Sequence, residues 1–287
     1  MAVYIEDQKT VQRAGSILLA ATPIGDSSDA SPRLIRALGE ADCVAAEDTR
    51  KLLSLCSRIG VRIRGQIVSL HEHNESARSA NVVERARDGE RVVVVSDAGM
   101  PTVSDPGFRV VSEAVKRKVP VTALPGPSAV LTALAVSGLP SDRFCFDGFP
   151  PRKEGEKRRY FEALGAETRT MIFFESAKRI HHTVSVMAEV FGGDRRAAIC
   201  RELTKVHEEI IRGDLNELLR ATQDELRGEI TMVVEGADPQ IPNAEDHVAT
   251  VLALVDEGMG LKDAAKQVSK AAGVKKNELY RAALARK

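Results

Sequence analysis

Val92-Val93-Val94-Val95-Ser96-Asp97-Ala98-Gly99-Met100-Pro101-Thr102-Val103-Ser104-Asp105-Pro106-Gly107 is the stretch that decides how this sequence folds. Four valines in a row, without polar alternation, read as a strand buried on both faces, the mark of a parallel sheet covered by helices. The twelve residues from Ser96 to Gly107 then hold two Gly, two Pro and two Asp. Gly lets a ligand come close to backbone N–H and C=O groups. Pro fixes the loop, so little order is lost on binding. An Asp carboxylate faces a cationic group or a ribose hydroxyl. A rigid pair of structural turns has the same composition, so the pattern leaves both readings open. Loops at strand ends are nevertheless common ligand sites.

Outward from this block the same unit repeats. Residues 16–21 read as a buried strand running into Thr22-Pro23-Ile24-Gly25-Asp26. Ser31-Pro32 is a helix start, with an N-cap hydroxyl and Pro at the first helical position. Leu34, Ile35, Leu38 and Ala41 follow at helical spacing. A strand over 43–46 ends in Glu47-Asp48-Thr49-Arg50, before a helix over about 50–58. A strand over 67–70 ends in His71-Glu72-His73-Asn74, before a charged helix over about 77–87. A strand over 119–124 ends in Pro125-Gly126-Pro127-Ser128, before a helix over 129–137. Strand and helix alternate throughout, which predicts an α/β fold with a mainly parallel sheet and ligands at the carboxyl ends of its strands.

The second half reads differently. Residues 140–155, with Pro150-Pro151, suit a link between domains. Strands over 144–147, 171–174, 197–200, 208–212 and 230–234 are joined by some short connections, so antiparallel pairing and a mixed sheet are expected. Residues 238–243, with Pro239 and Pro242, read as a linker, and 245–287 as wholly helical. The expected organisation is a mobile tail over 1–15, an α/β domain over 16–139, a second over 140–237, and a small basic helical tail over 244–287.

Composition bounds the function. Of the 287 residues, 43% are hydrophobic, enough for a buried core, and only 4% are aromatic, so aliphatic packing must carry it. The 41 basic and 41 acidic residues cancel, which argues against a chain that coats nucleic acid over its whole surface. The charge is segregated: residues 261–287 hold eight Lys or Arg against two acids, and 238–260 hold five acids and no Lys or Arg. Cys43, Cys56, Cys145 and Cys200 fit no zinc spacing and no C-x-x-C, and read as buried thiols of a reducing compartment. The apolar run 17–21 is too short for a signal peptide, and no run reaches the length of a membrane span. A cytoplasmic protein without membrane attachment is expected.

Several motifs are absent. Thr22-Pro23-Ile24-Gly25 is not G-x-G-x-x-G, and neither a P-loop nor a G-x-S-x-G elbow occurs. His71 and His73 lack further ligands at metal spacing, so a polar loop or an RNA contact is the better reading and no metal is expected. The Pro125–Ser128 junction alone suits a plain helix start. Arg152, Lys153, Lys157, Arg158 and Arg159 form a basic run that suits either a solvated helix face or contact with RNA phosphates. Lys262, Lys266, Lys270, Lys275 and Lys276 lie on two short amphipathic stretches around Gly273, a spacing like that of a helix-turn-helix. Nucleic-acid docking and capping of the core suit that tail equally.

The ordered set Ala21-Thr22-Pro23-Ile24-Gly25, Ala46-Glu47-Asp48-Thr49-Arg50, Ser96-Asp97-Ala98-Gly99, Asp105-Pro106-Gly107, Leu124-Pro125-Gly126-Pro127-Ser128, Gly138-Leu139-Pro140-Ser141-Asp142-Arg143-Phe144, Phe173-Phe174-Glu175-Ser176 and Arg201-Glu202-Leu203-Thr204-Lys205 resembles one family. It is similar to the small-subunit ribosomal RNA 2′-O-methyltransferases known as methyltransferase I, within the tetrapyrrole-methylase superfamily of S-adenosylmethionine enzymes. The departures are mild: Asp26 stands where Asn is usual, and Met100 where Thr is usual.

The resemblance implies that S-adenosylmethionine lies folded in a cleft between two α/β domains. It carries the methionine part to Ser96, Asp97, Ala98, Gly99, Pro101, Thr102 and Val103. Ser128 and Ala129 are implied near its carboxylate or ribose. Phe174, Leu203, Glu229, Ile230 and Thr231 are implied along the adenine. The family further implies a homodimer and, as partner, 16S rRNA in the small ribosomal subunit, with a cytidine as substrate. Attack of a ribose 2′-oxygen on the methyl group gains from placing the reactants together and from a group that takes the hydroxyl proton. Glu47, Asp48, Arg50 and Lys205 are the catalytic candidates, with a salt-bridge network at the domain interface as an equal reading. Arg152, Lys153, Lys157, Arg158 and Arg159, with Lys262, Lys266, Lys275 and Lys276 of the tail, are the RNA-contact candidates. A tetrapyrrole methylase of the same superfamily and a non-catalytic rRNA-binding assembly factor are the alternatives.

Overall fold

The computed structural model describes residues 15–238 and 243–286. The tail expected over 1–15 falls, but for Gly15, outside the described residues, as do Pro239 and Pro242 of the expected linker.

The first half holds five parallel strands: β1 (Ser16–Ala20), β2 (Cys43–Ala46), β3 (Gln66–Ser69), β4 (Arg91–Val95) and β5 (Val121–Leu124). Their order across the sheet is β3-β2-β4-β1-β5. Helices α1 (Pro32–Glu40), α2 (Thr49–Arg58), α3 (Glu72–Arg87), α4 (Phe108–Lys116) and α5 (Ala129–Ser137) follow the strands in turn. The valine block sits at the centre. Because side chains alternate across a strand, Val92 and Val94 pack with Val82, Val83 and Val110 of α3 and α4. Val93 and Val95 pack on the other face with Leu34, Leu38 and Leu52 of α1 and α2. Both faces are dry, as an unbroken apolar strand requires.

Helix starts follow the local chemistry. The Leu34 N–H donates to Ser31 Oγ at 3.0 Å, and the Arg50 N–H to Asp48 Oδ1 at 2.8 Å. Helix α3 starts at Glu72, well before the expected residue 77. His71 and Asn74 cap each other there, with the His71 N–H donating to Asn74 Oδ1 at 2.9 Å. Helix α4 borrows its cap: buried Glu75 of α3 accepts from the N–H groups of Gly107 at 2.9 Å and Arg109 at 2.8 Å.

The second half holds β6 (Phe144–Phe146), α6 (Glu154–Leu164), β7 (Thr170–Ser176), α7 (Ile180–Phe191), β8 (Arg196–Arg201), β9 (Glu209–Asp214), α8 (Leu215–Ala221) and β10 (Glu229–Val234). The sheet runs β6-β7-β10-β8-β9, parallel only between β6 and β7. One face packs on α6, α7 and α8 through Phe161, Phe173, Met187 and Leu218. The other face is covered from the first half: Val130, Ala133 and Leu134 of α5 pack with Ile172, Cys200 and Val233. Arg212 Nε and Nη2 donate to the Val136 carbonyl at 2.9 and 2.6 Å, and Arg196 Nη2 to that of Gly138 at 3.2 Å. These guanidiniums satisfy the end of α5, where a helix favours positive charge. The described residues from 15 to 237 accordingly form one compact unit.

The second compact unit is the helical tail, with α9 (Val248–Asp256), α10 (Leu261–Ala272) and α11 (Lys276–Ala285). It has its own core of Val251, Ala264, Ala265, Val268, Leu279 and Ala283. Lys262, Lys266 and Lys275 are exposed on it.

Candidate functional site

The loop after β4 is pinned before any ligand arrives. Thr22 and Gly99 exchange two backbone hydrogen bonds, Thr22 N–H to Gly99 O at 2.9 Å and Gly99 N–H to Thr22 O at 3.0 Å. Ser96, 5% exposed, donates its hydroxyl to Gly99 O at 3.2 Å. Asp97 is a brace. Its Oδ1 accepts from the Asp48 N–H at 3.0 Å, its Oδ2 from Lys51 Nζ at 2.8 Å, and its own N–H donates to Glu47 Oε2 at 3.3 Å. The loop after β2 is thereby tied to the loop after β4.

Beyond Gly99 the chain is strained. Thr102 and Ser104 have φ of 78° and 60°, the left-handed region that side chains avoid. Across the cleft Glu202 and Thr204 have φ of 51° and 63°. Four of the five non-glycine residues with positive φ among the described residues thus lie in two loops. Such strain persists where the surroundings fix it, and it clusters at ligand sites. The second of these loops packs against Gly25, where an added Cβ would fall 2.5 Å from Thr204 Oγ1 and 2.9 Å from the Leu203 carbonyl. Only a residue without a side chain fits, and the Asp26 N–H donates to Thr204 Oγ1 at 3.1 Å.

Beside the first of these loops lies a cavity of about 360 Å³. The first half lines it with Ala98, Gly99, Val103, Asp105, Ser128 and Ala129. The second half lines it with Phe174, Glu175, Gly228, Glu229, Ile230 and Thr231. Ser128 precedes α5 without spending its hydroxyl on the helix's own amides, so the positive end of α5 opens onto the cavity. The Phe174 ring is held edge-on by Phe146 at 4.8 Å and Phe149 at 5.6 Å between centroids. Phe149, 57% exposed, stands at the rim.

The carboxylates on the cavity wall and on the loops braced beside it differ in character. Burial, with the neighbouring Glu47 charge, pushes the half-buried Asp105 up to about 7. Burial also raises Glu47, opposed by the Asp97 N–H. The bonds from Arg50 to Asp48 hold that carboxyl well below its usual range. Burial pulls Lys205 down, but bonds to Glu202 at 2.8 Å and Glu229 at 2.9 Å outweigh it and leave its ammonium raised.

Nine of the residues expected around a cofactor line this cavity: Ala98, Gly99, Val103, Ser128, Ala129, Phe174, and the strand start Glu229, Ile230 and Thr231. Ser96, Asp97, Pro101, Thr102 and Leu203 are not on its wall. Leu203 is 6% exposed and belongs to the core shared with Ile24 and Val130. Asp48 caps α2 and binds Arg50, and Lys205 bridges two glutamates. Asp105, Met100, Ile24 and Glu175 were not among the expected site residues and line the wall. The signal for Asp105 was its place in the same Gly/Pro loop as Asp97.

Lys157 is a correction. Its side chain is fully buried, where no phosphate reaches it, and Nζ donates to Thr183 Oγ1 at 2.8 Å. Thr183 donates in turn to Glu175 Oε2 at 2.6 Å, and Arg179 pairs with Glu175 Oε1. A buried ammonium survives because it is hydrogen-bonded into this chain. Lys153 and Arg158 spend their charge on Glu156 and Glu189, while Arg152 and Arg159 stay exposed.

Comparison with known proteins bears on the family and the fold. A family model of tetrapyrrole (corrin/porphyrin) methylases matches residues 16–219, and one of the RsmI C-terminal HTH domain matches residues 242–287. The ribosomal RNA small subunit methyltransferase I of Mycobacterium tuberculosis is 48% identical over 272 residues, 94% of this chain and 95% of that protein. The protein of that name from Pseudomonas aeruginosa is 39% identical over 95% of this chain and 98% of its own length. Among solved structures, the methyltransferase CobJ aligns with a TM-score of 0.59 at 21% identity, covering 78% of this chain and 95% of its own. A uroporphyrin-III C-methyltransferase from Thermus thermophilus, complexed with S-adenyl homocysteine, aligns with a TM-score of 0.52 at 18% identity, covering 76% and 97%. These last two likenesses are of fold.

Proposed function

The chain belongs to the tetrapyrrole methylase family, among the ribosomal RNA small subunit methyltransferases I, and from that premise we propose that it methylates the ribose 2′-oxygen of a cytidine in 16S rRNA with S-adenosylmethionine. The observation that carries the reading is the cavity itself, with a helix N-terminus on one wall and an aromatic and aliphatic surface on the other.

That lining fits the cofactor. The amides at the start of α5, with Ser128, suit its carboxylate. Phe174 and Ile230 offer apolar surface to a flat purine. When bound, the cofactor supplies a methyl group on a positively charged sulfur.

The protein's own part is to position and to take a proton. Asp105 takes the 2′-hydroxyl proton at a carboxylate oxygen, and a base that ionises at about 7 is well matched to neutral solution. Burial raises it to that value, with the charge of Glu47 adding to the effect. Of the residues first considered for catalysis, Asp48, Arg50 and Lys205 hold the loops in place. The reading includes a homodimer in the cytoplasm, which sedimentation of the purified protein tests.

The deciding experiment supplies methyl-labelled S-adenosylmethionine and small ribosomal subunits or their rRNA to the purified protein. The expected product is a labelled cytidine whose 3′-phosphodiester resists alkali, since its 2′-oxygen is blocked. Label on a base, or label only with tetrapyrrole precursors, would overturn the reading. Tight rRNA binding with no cofactor uptake would leave an assembly factor.

A further inference from the structure

Residues 49–65 contain Arg50, Lys51, Arg58, Arg62 and Arg64 and no Asp or Glu, in a chain whose 41 basic residues are balanced by 41 acidic ones. The fold turns this stretch into a surface. Helix α2 buries Leu52, Leu55 and Cys56 against the sheet, and presents Arg50, Leu53, Ser54, Ser57 and Arg58 to solvent. The extended residues after it alternate: Val61 and Ile63 pack on the same core, while Arg62 and Arg64 are exposed. Arg58, Arg62 and Arg64 have no ion pair among the described residues. At helix α6, by comparison, Lys153 and Arg158 are paired and Lys157 is buried, which leaves Arg152 and Arg159 as the exposed arginines of that run.

Like charges gathered without counter-charges repel one another, so the fold gains nothing from them. Guanidinium groups match phosphate geometry, and serine hydroxyls add contacts to phosphate oxygens. The position completes the argument. The first turn of α2 is tied to the cavity loop by Lys51 Nζ and the Asp48 N–H, both donating to Asp97. A ten-residue helix is about 15 Å long. The basic strip therefore starts beside the cavity and leads away from it to Arg58.

We infer that the outer face of α2 and the segment 61–64 form a docking track for the sugar–phosphate backbone of the RNA that flanks the target nucleotide. The inference rests on the rRNA reading above and adds to it a surface apart from the helical tail. Contacts of this kind fix register without reading sequence.

The test uses the full-length protein with Arg58, Arg62 and Arg64 changed together to Ala, titrated with small-subunit rRNA from 50 to 200 mM salt. If all three arginines meet phosphates, the slope of log affinity against log salt becomes shallower by about 2 to 3. Affinity should fall at least about 10-fold at low salt, equally for rRNA of scrambled sequence. KM for rRNA should rise, while the affinity for S-adenosylhomocysteine by calorimetry stays unchanged. Wild-type protein that methylates rRNA, alongside a variant with an unchanged slope, overturns this inference alone. Wild-type protein that neither binds nor methylates rRNA overturns the functional reading as well. A variant that loses affinity for assembled subunits but none for naked rRNA assigns the surface to an acidic protein partner and overturns the phosphate track.

Discussion

The parallel sheet is buried on both faces by helices of its own half, and what it brings to the cavity comes from loops: Asp105, the backbone around Gly99, and the open start of α5. The mixed sheet takes one of its covers from the other half and contributes strand residues: Phe174 of β7, and Glu229, Ile230 and Thr231 of β10. Loops tolerate strain and place charge, whereas the ends of paired strands hold rings in fixed positions. The difference suggests a division of labour, with proton transfer in the first half and much of the cofactor's apolar grip in the second.

The sharpest way to break that division is Asp105→Asn. Removing a proton acceptor should lower kcat at neutral pH about 100-fold or more, with little change in S-adenosylhomocysteine affinity. The wild-type rate should climb with pH through about 7 as Asp105 ionises, and the variant should lose that limb. The stability sign is opposite. A carboxyl raised in the fold favours the folded state at low pH, and that advantage fades as pH rises through about 7. Asp105→Asn should therefore raise the melting temperature relative to wild type at pH 8 and leave it nearly level near pH 4. An increase in the cofactor Kd instead, with kcat intact, would make Asp105 a cofactor ligand.

Phe174→Ala probes the other half. Stacking on an aromatic ring is worth about 1–3 kcal/mol, so calorimetry should show S-adenosylhomocysteine binding weakened about 10-fold, with the pH limb retained. Loss of that limb would erase the contrast between the halves. Glu75→Ala strips the borrowed cap of α4 and leaves the Gly107 and Arg109 amides, the first of them buried, without their acceptor. Denaturant unfolding should show about 1–3 kcal/mol less stability. Asp97→Asn should cost least, about 0–1 kcal/mol, because the Lys51 side chain in the pair it weakens is 65% exposed. A larger loss would mean that the brace between the two loops carries more than its geometry suggests.

The same contrast governs what the sequence made legible. Val92–Val95 announced a doubly covered strand because nothing polar interrupts it, and Ser31-Pro32 announced α1 because both residues act locally. His71 and Asn74 start α3 through a mutual cap outside the usual Ser/Thr and Glu pairing, so their role emerges only in three dimensions. Lys157 reads as one more charge in a basic run, because a run does not reveal which member turns inward to Thr183. Asp105 differs from Asp97 by lining the cavity, which spacing does not report. Helix α5 carried a signal that a strict division between halves misses: Ala129–Ser137 is apolar nearly all round, and Val130, Ala133 and Leu134 are buried although Leu131 stays exposed.

That helix has a consequence for how the protein can be divided. The chain passes from one half to the other near residue 139, yet the core does not divide there. A polypeptide ending at that point would carry Val130 and Leu134 with nothing to cover them, and the complementary piece would leave Ile172 and Val233 bare. Neither half is a self-sufficient module. The joint behaves like a dovetail, in which the tongue belongs to one board and its fit to the other, so the cavity and the fold should be lost in the same cooperative step.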